Sequence, residues 1–233
     1  MNKTKVIEFW LNGRHLENIA ELPAPASSII PKWYKDIPRF VYGGRPMISD
    51  AGQVNVGVKT CAPFLDAMTA GYIVKLHCDM LVEDVDGEVR VTWASTTKPI
   101  SGRPKEASSQ IPQVPGFGPF GQAWEFQTGF KVPKGYSVLI TQPFNRYDMD
   151  TFVTSGIMDA DEYLGPGGVP FAIREGFTGI IKEGTPIIQI FPFKRENWKS
   201  IEVENKFPYG DQRGRKKIVG WYKENIWKKK EYK

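Results

Sequence analysis

Alternating apolar and polar positions dominate the middle of the chain. Glu88-Val89-Arg90-Val91-Thr92-Trp93 sets Val89, Val91 and Trp93 against charged or hydroxyl neighbours, the period-two pattern of a half-buried strand. Met80 to Val85 lies upstream across Asp86-Gly87, so the two runs read as a hairpin on a two-residue turn. Further strands are predicted at 71–77, 124–128, 136–141, 151–153, 169–174, 177–181 and 186–193. In the last of these Ile187, Ile188 and Ile190 form an almost continuous apolar run, as in a strand covered on both faces. Strand after strand with turns between them and little helix predicts a mainly β, antiparallel sandwich, barrel or jelly roll. No internal repeat is visible.

The flanks read differently. Residues 1–50 hold Pro23, Pro25, Pro31, Pro38 and Pro46 and few period-two runs. Lys5 to Leu11 is one candidate strand, and Pro31 to Pro38 brackets a short helical turn with Pro31 at its first position. This arm is expected to pack on a β domain spanning 51–200, the other reading being that Trp33 and Tyr34 anchor a partner. Within that domain Lys98 to Gly121 is rich in Gly, Pro, Ser and Gln and predicts a long lid or intersubunit contact loop. Its Pro115 to Gly121 run lacks the closing Lys-Ser/Thr of a phosphate loop. Residues 201–233 form a basic extension that ends in a short amphipathic helix from Gly220.

Composition narrows the class. The 233 residues are 41% hydrophobic and 24% charged, and 23 glycines and 18 prolines are spread along the chain, which suits short strands rather than long helices. No stretch of about 18 apolar residues exists to span a membrane, and the first residues lack the apolar core of a secretion signal, so an intracellular setting is expected. Cys61 and Cys78 read as reduced thiols. Joining them with His77 in a zinc site requires a fourth ligand, and adjacent strand residues face opposite ways, so no metal site is expected. Two histidines without a nucleophile signature give no support to Ser-His-Asp or Cys-His catalysis. From Gln212 to Lys233 nine basic residues face two acidic ones, and this segment carries the whole positive balance of the chain. Lys216, Lys217, Trp221 and Trp227 are the candidates for nucleic-acid contact there, aromatic rings stacking on bases while lysines meet phosphates. A solvated charged segment is the other reading.

Two resemblances follow from longer motifs. Lys59 to Tyr72, Pro133 to Arg146 and Gly184 to Trp198 resemble a family of uncharacterised proteins from tailed phages, especially cyanophages, which implies a viral source and a place in the host cytoplasm or the virion. More remotely, Ala70-Gly71-Tyr72, Tyr136 to Arg146, Gly156 to Tyr163 and Gly184 to Gln189 are similar in order to the motifs of the dUTPase and dCTP deaminase group. That likeness implies a β-clip, or distorted jelly-roll, fold and a homo-oligomer, with a trimer as the state expected from it. It also implies a pocket in which Asp159 activates water, Tyr163 packs on the sugar, Gln189, Arg146 and Ser137 meet phosphates, and Mg assists hydrolysis of a nucleoside triphosphate. The chain departs from that pattern where Ile73 or Val74 replaces an Asp and where paired serines reduce to Ser137 alone.

Three functions stay open at this point. The first is a phage accessory or structural protein that acts through oligomeric contacts, with Asp159 and Asp161 capping turns. The second is a nucleotide binder, and the third a metal-dependent pyrophosphatase.

Overall fold

The computed structural model describes residues 4–42, 44–50, 54–163, 167–202 and 219–233. Among them, fourteen strands form four antiparallel sheets and helix is confined to short segments, so the chain is mainly β as its patterning predicts. The strands are β1 (Glu8–Leu11), β2 (Ala24–Pro25), β3 (Tyr72–Lys75), β4 (Met80–Val85), β5 (Glu88–Trp93), β6 (Ile100–Gly102) and β7 (Gln122–Trp124). They continue with β8 (Thr128–Lys131), β9 (Tyr136–Thr141), β10 (Thr151–Val153), β11 (Gly156–Met158), β12 (Val169–Ile173), β13 (Gly179–Ile181) and β14 (Pro186–Lys194). Helices are α1 (Lys32–Asp36), α2 (Ala62–Thr69), α3 (Lys105–Ser108) and α4 (Trp221–Asn225).

The largest sheet runs β11-β9-β14-β3-β2, beside sheets β10-β12-β7-β6, β13-β4-β5 and the pair β1-β8. One apolar core joins all four. Val138, Ile140, Ile188 and Ile190 come from the five-stranded sheet, Trp124 and Phe171 from the four-stranded one, Met80 and Val82 from the three-stranded one, and Phe130 from β8. Trp124 and Phe171 stack face to face with centroids 3.9 Å apart, and both are fully buried.

The β4–β5 hairpin forms in the expected register, Val85 opposite Glu88 and Met80 opposite Trp93. Asp86 and Gly87 both take positive φ, 56° and 84°, the mirror-image turn whose twist suits a two-residue hairpin. Gly71 is required at the start of β3. Its φ is 66°, and a Cβ there would lie 2.1 Å from the Ile190 carbonyl oxygen of β14, so only glycine lets the strands close.

Other expectations change. The predicted strand over 124–128 is instead the turn between β7 and β8, held where the Glu125 N–H donates to the Pro99 carbonyl and the Asn12 N–H to the Gln127 carbonyl. The 98–121 segment is anchored along its length. It carries β6 and α3, buries Phe120, and sets Phe117 at a tilt against Phe152 while the Gly118 N–H donates to the Ile173 carbonyl. Helix α2 carried no strong periodic signal. In the N-terminal arm Tyr34 stacks on Phe64 of α2 with Trp33 edge-on to both, and Pro31 caps α1 rather than opening it. Among the described residues no helix is long and apolar enough to cross a membrane.

Candidate functional site

Strands β9, β11 and β14 are neighbours in the five-stranded sheet, and their ends bring Ser137, Asp159, Asp161 and Arg195 together. Ser137 is fully buried on β9, on the face opposite Val138, and its hydroxyl donates to Asp159 Oδ1 at 2.6 Å. Arg195 follows the last residue of β14. Its guanidinium donates to Asp161 through Nη1 at 2.8 Å and Nη2 at 2.5 Å, to Asp159 Oδ1 at 3.2 Å, and to the Tyr136 carbonyl at 2.7 Å. The Gly135 N–H adds a 2.8 Å bond to Asp161. A two-pronged guanidinium–carboxylate pair is among the stronger polar contacts a protein makes. With its side chain only 1% exposed, Asp161 needs those partners. They hold its carboxyl well below the usual range, Arg195 first and the Gly135 N–H second, and Asp161 in turn holds the Arg195 guanidinium firmly protonated.

The resemblance nominated Asp159 and Ser137, and the fold joins them. Asp159 keeps a 64% exposed side chain, and its carbonyl accepts from the N–H of Tyr163, whose own side chain points largely to solvent. A cleft of about 520 Å³ lies alongside, lined by Val6, Glu8, Lys131, Lys134 and Glu162, among others. Arg195 is the member that the sequence did not mark, and Asp161 was marked only as a turn cap.

The other nominated residues lie elsewhere. Gln189 is fully buried. Its Oε1 accepts from the Phe144 N–H at 2.7 Å, and its Nε2 donates to the carbonyls of Ala67 at 3.0 Å and Ala70 at 2.5 Å. That amide ties the β9–β10 connection and the end of α2 to β14, so it has no donor left for a phosphate. Arg146 forks onto Asp148 at 2.8 and 3.1 Å. Lys216 and Lys217 lie outside the described residues. Trp227 is half-buried, with its indole N–H engaged inside the chain. Its Nε1 donates to both oxygens of Asp66 on α2, at 3.0 and 2.8 Å, and Lys230 pairs with the same carboxylate. Tyr232 packs near Tyr72 and Phe191. The end of the chain is therefore strapped across α2, β3 and β14, and α4 with Trp221 leads into that strap.

A surface feature stands apart from these polar groups. Between Phe40 and Gly57 the chain makes an excursion closed by the bridges Phe40–Val56 and Ile48–Val54. Asn55 organises it from inside. Its side-chain oxygen accepts from the Met47 N–H at 2.6 Å, and its amide donates to the carbonyls of Val41 and Arg45. The result holds Tyr42 at 85%, Ile48 at 74% and Met47 at 54% exposure, with Val41 and Val56 beside them.

Cys61 is exposed and Cys78 buried, both as free thiols, and burial is the main cause that raises the Cys78 thiol. Among the described residues no three His, Cys, Asp or Glu side chains converge to hold a metal ion. No family model matches the chain, and no curated protein matches it either.

Proposed function

We propose that this chain is an assembly protein, a phage accessory or structural component that acts by binding further copies of itself. The observation that carries this reading is the excursion around Asn55. Apolar side chains scattered singly on a surface need no explanation, but a cluster held outward by a dedicated hydrogen-bond network does. Tyr and Met are also side chains enriched where proteins meet. The resemblance to a tailed-phage family supplies the setting. The state of the nominated ligand groups supports the same reading, since Gln189 and Arg146 are spent on internal bonds.

Sedimentation velocity across a wide concentration range tests it. Wild type self-associates, and Ile48→Asp removes the association that the excursion builds while the unfolding temperature holds. Wild type that stays monomeric at every concentration refutes the proposal.

A second reading is favoured by one observation, the pairing of Ser137 with a solvent-facing Asp159 beside a cleft. It makes the site a nucleotide pocket. Its test is a thermal-shift screen against deoxynucleoside triphosphates with magnesium, pyrophosphate release being read alongside. Ligand stabilisation that survives Asp159→Asn marks a binder, and release that disappears with that substitution marks a hydrolase.

A further inference from the structure

Strand β5 is the outer strand of its sheet, paired among the described residues with β4 alone. It runs six residues without proline or bulge, and its Val, Thr and Trp content suits a strand. Exposed edges of this kind are usually blunted by proline, a bulge or charge of one sign, because an open edge recruits another strand. Here the outer face of the strand carries Glu88 and Arg90, one charge of each sign, which does not repel a second copy.

The hairpin fixes which backbone groups are free. Across a two-residue turn the flanking pair, Val85 and Glu88, exchanges both hydrogen bonds, so Glu88, Arg90 and Thr92 point their backbone groups at β4. Val89, Val91 and Trp93 then turn theirs outward. A copy related by a two-fold axis can pair antiparallel only with outward residues opposite outward residues. Five registers satisfy this: Val89 opposite Val89, Val89 opposite Val91, Val91 opposite Val91, and two centred on Trp93, Val91 opposite Trp93 and Trp93 opposite Trp93, in which Glu88 lies beyond the partner strand. The second sets Arg90 against Arg90, which is repulsive. The third sets Arg90 against Thr92. Only the first sets Glu88 of each copy against Arg90 of the other, and there Arg90 sits between its own cross-strand neighbour Glu83 and the partner's Glu88. The same register brings together two Val89 side chains, each 55% exposed in the single chain.

We infer that β5 is a self-pairing edge, which joins two copies of the chain through Val89 opposite Val89 and two Glu88–Arg90 pairs. This contact uses none of the residues of the Asn55 excursion and does not depend on it.

The test uses charge exchange in the full-length protein with Cys61→Ser as background. Glu88→Arg and Arg90→Glu each weaken the β5 association by at least about tenfold, since both symmetric pairs turn from attractive to repulsive. An equimolar mixture of the two restores it, because all-basic and all-acidic edges then face each other. Val89→Cys forms an interchain disulfide on mild oxidation, since paired Cα atoms at such a position stand about 5.5 Å apart, whereas Glu83→Cys does not. Equal unfolding temperatures show that the variants fold. A mixture that fails to associate, or Val89→Cys that stays uncrosslinked, overturns the inference, and an edge that captures a foreign peptide instead of its own copy would give that result. Because Ile48→Asp leaves the Val89→Cys crosslink intact, failure of the excursion reading and failure of this one are read separately.

Discussion

Replacing Gln189 with Leu decides whether this residue serves the fold or a ligand. Its amide makes three bonds to backbone groups in two other segments, the Phe144 N–H and the carbonyls of Ala67 and Ala70. Leucine fills a similar volume but leaves all three backbone groups without that partner. At about 1–1.5 kcal/mol for each lost bond, the cost is about 3–5 kcal/mol. The partners are half-buried rather than sealed, so partial hydration places the loss toward the lower end. For a chain of this size each kcal/mol lowers Tm by about 2–4 °C, so the variant melts about 6–20 °C below wild type. Differential scanning calorimetry or circular dichroism of the ligand-free protein measures it. A phosphate-binding glutamine would cost the free protein almost nothing, so a drop under about 3 °C refutes the structural assignment.

Further outcomes follow from the same geometry. Gly71→Ala forces a Cβ to 2.1 Å from the Ile190 oxygen and yields little soluble protein, whereas Gly135→Ala, where φ is 83° but space is open, costs only about 1–2 kcal/mol of backbone strain in denaturant melts. Asp161, depressed by Arg195 and the Gly135 N–H, takes its proton more readily when unfolded, at about pH 3.9. Its stabilisation is therefore complete above that pH and lost as the pH falls toward the folded-state value. Wild-type Tm then falls more steeply below about pH 4 than that of Asp161→Asn, and equal slopes in the two pH titrations would count against the clamp. Trp227→Phe removes both indole bonds to Asp66 and raises amide exchange across 221–233 while the β core keeps its protection.

Local patterns were readable and long-range ones were not. The β4–β5 hairpin could be read because alternation and turn chemistry lie within fourteen consecutive residues, Met80 to Trp93. Strands β6 and β11, Ile-Ser-Gly and Gly-Ile-Met, each have a glycine at one end and show no alternation that marks them as strands. Helix α2 is apolar along most of its length and has Pro63 in its first turn, so nothing local distinguished it from a loop. The burial of Gln189 was signalled by its neighbours. A polar residue between Ile188 and Ile190, in a strand covered on both faces, must find its partners inside the protein. Arg195 gave no such sign, because its partners Asp159 and Asp161 lie 36 and 34 residues away and only strand pairing brings them together. Trp227 read as a base-stacking ring because its partner Asp66 lies 161 residues upstream.

Hydrogen–deuterium exchange of wild type at low and high protein concentration addresses the assembly reading most directly, because it locates protection as well as detecting it. Slower exchange at high concentration in peptides covering 40–58, abolished by Ile48→Asp, is the result that self-association through the Asn55 excursion predicts. Exchange in that segment that is the same at every concentration, while the protein is known to associate, would contradict it.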